Sequence, residues 1–341
     1  MKADAEPRAA RRIPSASKAT FASAHSVEIG LSAAIVAVAG DQPQVLVVRH
    51  PGTRDALPFG PFEPLRHRTL EGGLRSWVKD QTYLAFDYAE QLYTFGDRGR
   101  HMMRAGEGPR VVSVGYLALT RATHALEAPD SAWGDWYVYF PWEDWRNGEP
   151  AIIARSIAPA LKRFVRAADN TAEKDRRQTR LRLSFGIDGP HWDEERVLER
   201  YELLYEAGLV EEALHDGRLA ASALVSSAPL GVSMMFDHRR ILATAIARLR
   251  GKMKYRPVVF ELMPPIFTLL ELQRTVEAIS GVRLHKQNFR RLVAEQGLVE
   301  PTGQLAPSPR GRPAELFRFR REVLSERHAP GVRLGARRTG I

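Results

Sequence analysis

The sequence predicts an α+β protein with a larger N-terminal domain and a small C-terminal domain of helices and short strands. Over residues 27–140, apolar runs with a strand-like pattern alternate with turn-forming residues. After residue 236, apolar residues recur at helical spacing and a basic segment follows them. With 341 residues, 44% of them hydrophobic, the chain is long enough to form two cores.

The positive charge is concentrated at the two ends of the chain. Residues 1–20 contain five Lys or Arg against two acids, and residues 255–341 contain fifteen against eight. The 234 residues between them contain thirty of each sign, so the net charge of +10 arises outside this middle part. Because phosphate neutralisation drives sequence-independent affinity, this distribution predicts polyanion binding by a terminal module.

Composition also excludes several classes of site. The chain has no cysteine, which excludes disulfides, thiolate nucleophiles and cysteine-ligated zinc. The most apolar run, 31–40, is about half as long as a membrane span and predicts a buried strand. No secretory signal precedes it, so we expect a cytoplasmic protein with a flexible basic arm over 1–22.

The elements of the N-terminal half follow from local patterns and turn residues. We predict strands at 27–38, 45–48, 91–95, 110–119 and 136–140, and a helix at 70–83. Further along, 152–168 has a helical period, and the charged segment 169–182 is either an exposed helix or a linker. A helix over 189–214, capped by Asp193 and ended by Gly208, is followed by a loop at 222–231.

A group of four tryptophans and one histidine each admit a functional and a structural interpretation. Trp133, Trp136, Trp142 and Trp145 form either a stacking wall for a ligand or ordinary packing, and we favour packing. His238 follows Asp237, which is placed to cap a helix over 239–250. No second metal ligand stands at useful spacing, so we expect a cap with an exposed imidazole.

The C-terminal region carries the most explicit succession of elements. Thr268 and Glu271 form a capping box that starts a helix. Its apolar residues Leu272, Val276 and Ile279 precede a break at Ser280-Gly281. A second helix ends at Gly297 and buries Phe289, Leu292 and Val293. Strands at 298–299 and 316–319 then flank a basic loop, and this succession predicts a winged helix-turn-helix.

The outward face of the second helix predicts contact with double-stranded DNA. Its polar side chains pair with phosphates through charge and with base edges through donors and acceptors. The candidate DNA-binding residues are Thr268, His285, Lys286, Gln287, Asn288, Arg290, Arg291, Arg310 and Arg312, the last two in the loop. A solvated polar face, or a surface for protein contacts, remains the alternative. This class of domain binds palindromic operators as homodimers, which we expect here.

Several segments resemble a known family. A strand, an LP-x-G loop and a helix precede AEQLYTFGDRGR (89–100) and RVVSVGYLAL (110–119), and this order resembles the Nudix fold. Together with residues 236–273 and LHKQNFRRLVAEQGLVEPTG (284–303), the chain resembles Nudix-related transcriptional regulators of NAD metabolism, especially the longer alphaproteobacterial type. The resemblance implies a ligand-responsive repressor of NAD biosynthesis genes in the bacterial cytoplasm, nucleoid-associated when bound to DNA.

The same resemblance implies an order of domains. A Nudix-like α/β/α sandwich with a mixed sheet would occupy 23–168, followed by a helical insertion or linker at 169–235. A connecting helix (236–254), a winged helix (255–324) and a basic tail (325–341) would complete the chain.

The Nudix catalytic pattern is degenerate. Hydrolases of this fold carry Arg-Glu-x-x-Glu-Glu on the helix after the loop, and its carboxylates hold magnesium. Here Trp77 and Gln81 stand where carboxylates are needed and Lys79 adds a positive charge. Asp80 remains, and Glu71 is more than two helical turns away. We therefore expect binding without catalytic residues or a metal; the alternative is a pyrophosphohydrolase with displaced ligands.

The resemblance further implies an adenine nucleotide effector, ADP-ribose, NAD or ATP, and no required cofactor. The candidate residues would supply cations for phosphate, rings for stacking, and an amide and an acid for ribose hydroxyls. They are Arg49, Phe59, Gln91, Phe95, Asp97 and Arg110. Ordinary core or surface roles remain open for each of them.

Overall fold

The computed structural model describes residues 27–49, 51–97, 110–121, 126–217, 230–307, 313–326 and 331. The predicted basic arm, most of the loop at 222–231 and of the basic tail, and the loop residues Arg310 and Arg312 lie outside the described residues. No helix within the described ranges is long and apolar enough to cross a membrane.

A mixed sheet forms the centre of the N-terminal domain. Its strands are β1 (Val27–Ala39), β2 (Gln42–Val48), β3 (Phe59–Pro61), β4 (Tyr88–Phe95), β5 (Arg110–Leu119) and β6 (Ser131–Asp135). Their order is β4-β5-β1-β2-β6, with β3 paired to β1. β1 and β5 are parallel and the other pairs antiparallel, which confirms the predicted mixed sheet.

Helices cover both faces of this sheet. In chain order the α-helices are α1 (Leu70–Thr82), α2 (Trp136–Tyr139), α3 (Ala158–Arg166), α4 (Thr171–Phe185), α5 (Val197–Glu206), α6 (Glu211–His215), α7 (His238–Met253), α8 (Leu269–Ser280), α9 (Lys286–Gln296) and α10 (Val323–Glu326). α1 buries Leu74 and Val78 in a cluster with Leu31 and Ile35. α7 covers the opposite face, contacting β1, β4 and β5, and completes an α/β/α sandwich.

The C-terminal domain is a winged helix. It contains a short strand β7 (Phe267–Thr268), α8, α9, and the hairpin β8 (Val299–Ala306) and β9 (Ala314–Phe319). The three strands pair in the order β7-β9-β8, and the hairpin is longer than the two short strands that the sequence predicts. The outcome confirms the predicted helix-turn-helix followed by a hairpin.

One hydrophobic cluster runs through both domains. It contains Val36 and Leu117 of the sheet, Leu204 of α5, and Leu249 of α7. The same cluster includes Leu272, Val276, Ile279, Phe289 and Val293 of the winged helix. The predicted α7 face of Ile241, Ala245 and Leu249 is fully buried in it. The two domains therefore share a continuous core.

Two local predictions in the middle of the chain were wrong. Residues 136–140 form the short helix α2 and not a strand, because the Asp135 carboxylate accepts from the Tyr137 N–H at 2.8 Å and starts a helical turn. The segment 189–214 contains two helices. α5 begins only at Val197, since Asp193 is used in an earlier turn in which it accepts from the Glu195 N–H at 3.0 Å.

The prediction for the start of α7 was also wrong. His238 is fully buried and not an exposed cap residue. Asp237 occupies the N-cap position without a side-chain capping bond, and its carboxylate lies 3.2 Å from Nη1 of Arg240. The imidazole is buried because α7 lies against the sheet at its first residue.

Candidate nucleic-acid interface and effector site

Local sequence determines the helix-turn-helix geometry. The Thr268 hydroxyl accepts from the Glu271 N–H at 3.2 Å, and the Glu271 carboxylate accepts from the Thr268 N–H at 2.7 Å. This confirms the capping box and satisfies two free donors at the start of α8. Gly281 and Gly297 end α8 and α9 with φ of 74° and 57°, a region in which only glycine is unstrained.

α9 separates an apolar face from a polar one. Phe289 and Val293 are buried and Leu292 packs beside them. The opposite face is exposed and consists of His285, Lys286, Gln287, Asn288, Arg290 and Arg291. Arg291 Nε lies 3.8 Å from Glu295, an exposed pair that contributes little. The recognition face, as we call these six residues, is therefore available to a partner.

Thr268, the remaining described candidate of the interface, has a structural role. The Thr268 hydroxyl donates to Glu271 at 2.9 Å besides accepting from its N–H. A phosphate contact by this hydroxyl would thus compete with the capping box. Its position at the N-terminus of α8 still offers backbone N–H groups to an anion.

The end of α8 is held by residues outside the winged helix. Tyr137 Oη donates to the Ala278 carbonyl at 2.7 Å, Arg250 Nε to the Ile279 carbonyl at 2.8 Å, and the Trp145 N–H to the Gly281 carbonyl at 2.7 Å. These groups satisfy carbonyls that a helix end leaves unpaired. We call Tyr137, Trp145 and Arg250 the carbonyl socket.

A buried ionic cluster supports this socket. Glu143 accepts from Arg200 Nε and Nη2 at 2.5 and 2.8 Å, and from Arg250 Nη1 at 2.7 Å. All three side chains are at most 1% exposed. Coulombic attraction and hydrogen bonds to Glu143 and Tyr137 outweigh desolvation and raise the pKa of Arg250, although desolvation is the largest single contribution. The cluster ties α5, α7 and α8 together.

Among the predicted effector residues, Phe59 lines a small cleft. The cleft has a volume of about 170 Å³ and lies between the starts of β1 and β5, β3, and the beginning of α7. The Phe59 ring meets Phe236 and His238 edge-on, at 5.4 and 5.0 Å between centroids. His238 Nδ1 accepts from the Leu57 N–H at 3.1 Å, and its Nε2 lies 3.5 Å from Ser32 Oγ. The cleft thus combines rings with a few polar groups.

Arg49 belongs to an ion pair at the end of β2. Its Nε and Nη2 donate to the two carboxylate oxygens of Asp55 at 2.8 and 3.2 Å, and Tyr139 Oη donates to the same carboxylate. The hydrogen bond to Asp55 raises the pKa of Arg49. Burial, and next the bond to Asp55, raise the pKa of Tyr139. Arg49 is half exposed, so a phosphate would have to share it with Asp55.

The other predicted effector residues lie around β4 and β5. Phe95 is 2% exposed and belongs to the core, with the Arg240 guanidinium 5.2 Å from its centroid. Asp97 pairs with Arg240 at 2.5 Å, and Arg110 donates to the Gly96 carbonyl at 2.9 Å. Gln91 accepts from Tyr116 Oη at 3.4 Å. Tyr116 packs in the α1 cluster and Phe95 in the α7 cluster, so the candidates divide between both faces of the sheet.

On α1, the residues that replace Nudix carboxylates have structural contacts. Trp77 Nε1 donates to the Pro61 carbonyl at 2.8 Å, and its indole lies where a side chain at Gly60 would be. Gln81 brackets Phe59, accepting from its N–H at 3.1 Å and donating to its carbonyl at 2.7 Å. No group of three or more His, Cys, Asp or Glu among the described residues is arranged to hold a metal.

Sequence reasoning missed several residues that line or support these sites. Ser32, Ser113 and Phe236 line the cleft beside Phe59, and Arg240 joins Asp97 to Glu202 at 2.5 Å. Ser and His inside strand and helix patterns look like ordinary interior polar residues. A signal was present only at Phe236-Asp237-His238, where two rings flank a helix start.

The fold and the recognition face define a class: a winged-helix protein with a Nudix-like domain attached. The sequence model of the NrtR DNA-binding winged helix domain matches residues 259–319. The C-terminal domain therefore matches the NrtR winged helices by sequence, and the predicted resemblance to Nudix-related regulators is confirmed.

A curated relative of this chain is also a transcriptional regulator. An ADPR responsive transcriptional repressor, NtrR, of Acinetobacter baylyi is 46% identical over 90 residues, which cover 26% of this chain. The match spans 36% of that relative's length.

Two structures of NrtR from Shewanella oneidensis are also similar. The complex with a 27mer DNA is 20% identical with a TM-score of 0.49, covering 87% of this chain and 95% of that one. The NUDIX domain complexed with ADP ribose is 24% identical with a TM-score of 0.29, covering 32% and 73%. Both TM-scores are below 0.5.

Proposed function

We propose that this protein is a ligand-responsive transcriptional repressor of NAD biosynthesis genes. It binds a palindromic DNA operator as a homodimer and senses an adenine nucleotide through its Nudix-like domain. The working units are a Nudix-like domain (23–168), a helical insertion (169–235), a connecting helix (236–254) and the winged helix (255–324).

The recognition face of α9 carries the proposal. Its exposed cations and amides lie on a helix whose other side is buried, in a domain that matches a DNA-binding family. Arg and Lys pair with guanine edges or phosphates, and Asn and Gln pair with adenine edges. The wing residues Arg310 and Arg312 belong to the proposed interface and await a direct test.

We assign ADP-ribose as the first effector to test, because the similar Acinetobacter protein is described as ADPR responsive. The cleft beside Phe59 and His238 is smaller than the roughly 300–1,000 Å³ of typical ligand sites, so it would hold a part of the nucleotide such as its ring. Arg49, Asp97 and Arg110 would meet the phosphates and ribose beyond it, Gln91 completes the accessible candidates, and Phe95 would support them from the core.

The protein is proposed to bind this nucleotide without hydrolysing it. Trp77 and Gln81 connect α1 to β3 in place of binding magnesium, and the Glu71 carboxylate accepts from Arg75 Nε at 2.9 Å. Incubation with magnesium and ADP-ribose should release no AMP by chromatography. Release of more than one AMP per chain would instead favour the pyrophosphohydrolase.

The DNA part is tested by selecting duplexes from a random library with the full chain. Wild type and an Arg290→Ala/Arg291→Ala variant are then titrated against the selected duplex at several salt concentrations. We expect a loss of about 1–3 kcal/mol for each base contact, and a salt slope lower by about one for each phosphate contact. An unchanged affinity would leave α9 as a surface for protein contacts.

The matched control is Arg155→Ala/Lys174→Ala, which removes two exposed cations outside the winged helix. It should bind the duplex as wild type does. Adding ADP-ribose, NAD or ATP tests the sensor: the true effector should change operator affinity by about 5- to 150-fold. If no nucleotide changes the affinity, the sensor half of the proposal is wrong.

A further inference from the structure

A groove of about 830 Å³ lies between α3 and the loop of residues 186–192. Ile153 and Phe185, both nearly fully buried, contribute to its apolar lining. Its volume is within the roughly 300–1,000 Å³ of typical small-molecule sites, unlike that of the cleft beside Phe59. The groove therefore has room for a whole nucleotide.

Cations line the α3 side of this groove. Arg163 and Arg166 are exposed, and neither guanidinium has a partner among the residues that the structure describes. Residues three apart on a helix lie side by side, so the two guanidinium groups can approach one anion. Lys162 is paired with Asp188 at 3.2 Å and holds the facing loop instead. Paired arginines favour phosphate, which they bind through parallel N–H donors.

The groove lining also contains an aromatic pair. Trp145 and Trp192 both line the groove and stack at 4.9 Å between ring centroids with an interplanar angle of 29°. The Arg200 and Arg250 guanidinium groups lie 4.8 and 5.8 Å from the Trp192 ring centroid. Trp192 is thus held between Trp145 and these buried cations, so a ligand ring would stack on Trp145.

Part of the groove wall has an unusual backbone. Residues Ile153–Ile157 form a π-helical turn directly before α3, and Ile153 and Ala154 line the groove. Such turns are rare and occur frequently at functional sites.

We propose that this groove is a second ligand site, for a nucleoside phosphate such as ATP. The phosphates bind Arg163 and Arg166, and the base packs against the Trp145–Trp192 pair. The site differs from the effector cleft, with which it shares no lining residue.

The groove adjoins the carbonyl socket. The Trp145 N–H holds the Gly281 carbonyl at the turn before α9, and Arg250, over the Trp192 ring, holds the Ile279 carbonyl. A ligand that shifts either indole therefore changes how α8 is held. Occupancy of the groove is thus coupled to operator affinity, and this second step alone rests on the proposed function.

The site is tested without DNA, by following tryptophan fluorescence of the full chain as ATP is added. Arg163→Ala/Arg166→Ala should weaken the ATP-dependent change by about tenfold or more, the size expected for lost charged hydrogen bonds. Trp192→Phe should reduce its amplitude. Arg155→Ala is the matched control, because Arg155 is an exposed cation on the π-helical turn that does not line the groove.

Adenosine and tripolyphosphate separate the two halves of the ligand, and each should bind more weakly than ATP. Equal ATP affinity in the double variant and in Arg155→Ala would overturn the site. In an operator titration, the double variant should lose part of the ATP effect and keep its nucleotide-free affinity. An unchanged ATP effect would refute the coupling while the binding result stands by itself.

Discussion

Replacing Arg250 by Ala removes the residue that joins α7 to α8, and its cost follows from the contacts it makes. The side chain is 0% exposed and donates to the Glu143 carboxylate and the Ile279 carbonyl. Glu143 keeps two bonds from Arg200, so its charge stays paired. The lost charged hydrogen bond is worth about 1.5–3 kcal/mol and the unsatisfied carbonyl about 1–3 kcal/mol.

These two losses add to about 2.5–6 kcal/mol, and we expect a value inside this range because Arg200 keeps the Glu143 charge paired. We therefore expect Arg250→Ala to lower the free energy of unfolding by about 3–5 kcal/mol, measured by urea titration with tryptophan fluorescence. Arg248→Ala is the control on the same helix. Arg248 is 44% exposed and lies 3.6 Å from Glu90, so its loss should cost less than about 1 kcal/mol.

If the two variants lose the same stability, the ionic cluster does not hold the winged helix as argued. Should Arg250→Ala fail to fold, Arg250→Lys provides a milder test. It keeps the charge but cannot supply the guanidinium donors to both Glu143 and Ile279, so it should be less stable than Arg248→Ala but should still fold.

Three smaller changes test other contacts by the same unfolding measurement. Gly60→Ala places a methyl group inside the Trp77 indole and should cost about 1–3 kcal/mol by overpacking; adding Trp77→Ala should recover part of this loss. Thr268→Ala removes the capping box and should cost about 0.5–2 kcal/mol, while Thr268→Ser should cost little. His238→Leu leaves the Leu57 N–H without its acceptor and should cost about 1–3 kcal/mol, and His238→Asn should restore most of it.

Each pair has an outcome that contradicts the reasoning. Equal losses in Gly60→Ala with and without Trp77 would mean that the indole is not the obstacle. If Thr268→Ser lost as much stability as Thr268→Ala, the hydroxyl of the capping box would not contribute to the free energy of unfolding. An Asn at position 238 no better than Leu would show that volume, and not the bond to Leu57, decides stability there.

The C-terminal domain was predictable because its signals are local. A capping box and two glycines that end helices are properties of a few consecutive residues, and the structure has them at Thr268, Gly281 and Gly297. The exposed face of α9 follows from the same periodicity. The mixed sheet was predictable for a different reason, since the resemblance to the Nudix fold supplied an order of strands that periodicity alone does not.

The elements in the middle of the chain were less predictable, because consecutive residues there are buried and show no alternation of apolar and polar positions. Trp136, Tyr137 and Tyr139 are all buried, so neither a strand nor a helix period stands out. The bond that the Tyr137 N–H donates to the Asp135 carboxylate favours a helix. His238 joins Leu57 and Ser32 across 181 and 206 residues of sequence. The carbonyl socket likewise consists of side chains from distant segments of the chain, and a local sequence pattern cannot predict that they lie together.

The shared core has a consequence for how this molecule can be divided. Cleavage of the chain between α7 and α8 would expose apolar surface on both fragments, so neither fragment should remain monomeric and folded by itself. Heating should instead produce one calorimetric transition for the described body. If the proposed function is correct, an effector bound in the N-terminal domain would act on α9 by deforming this common core, since no flexible linker separates the two domains between α7 and α8.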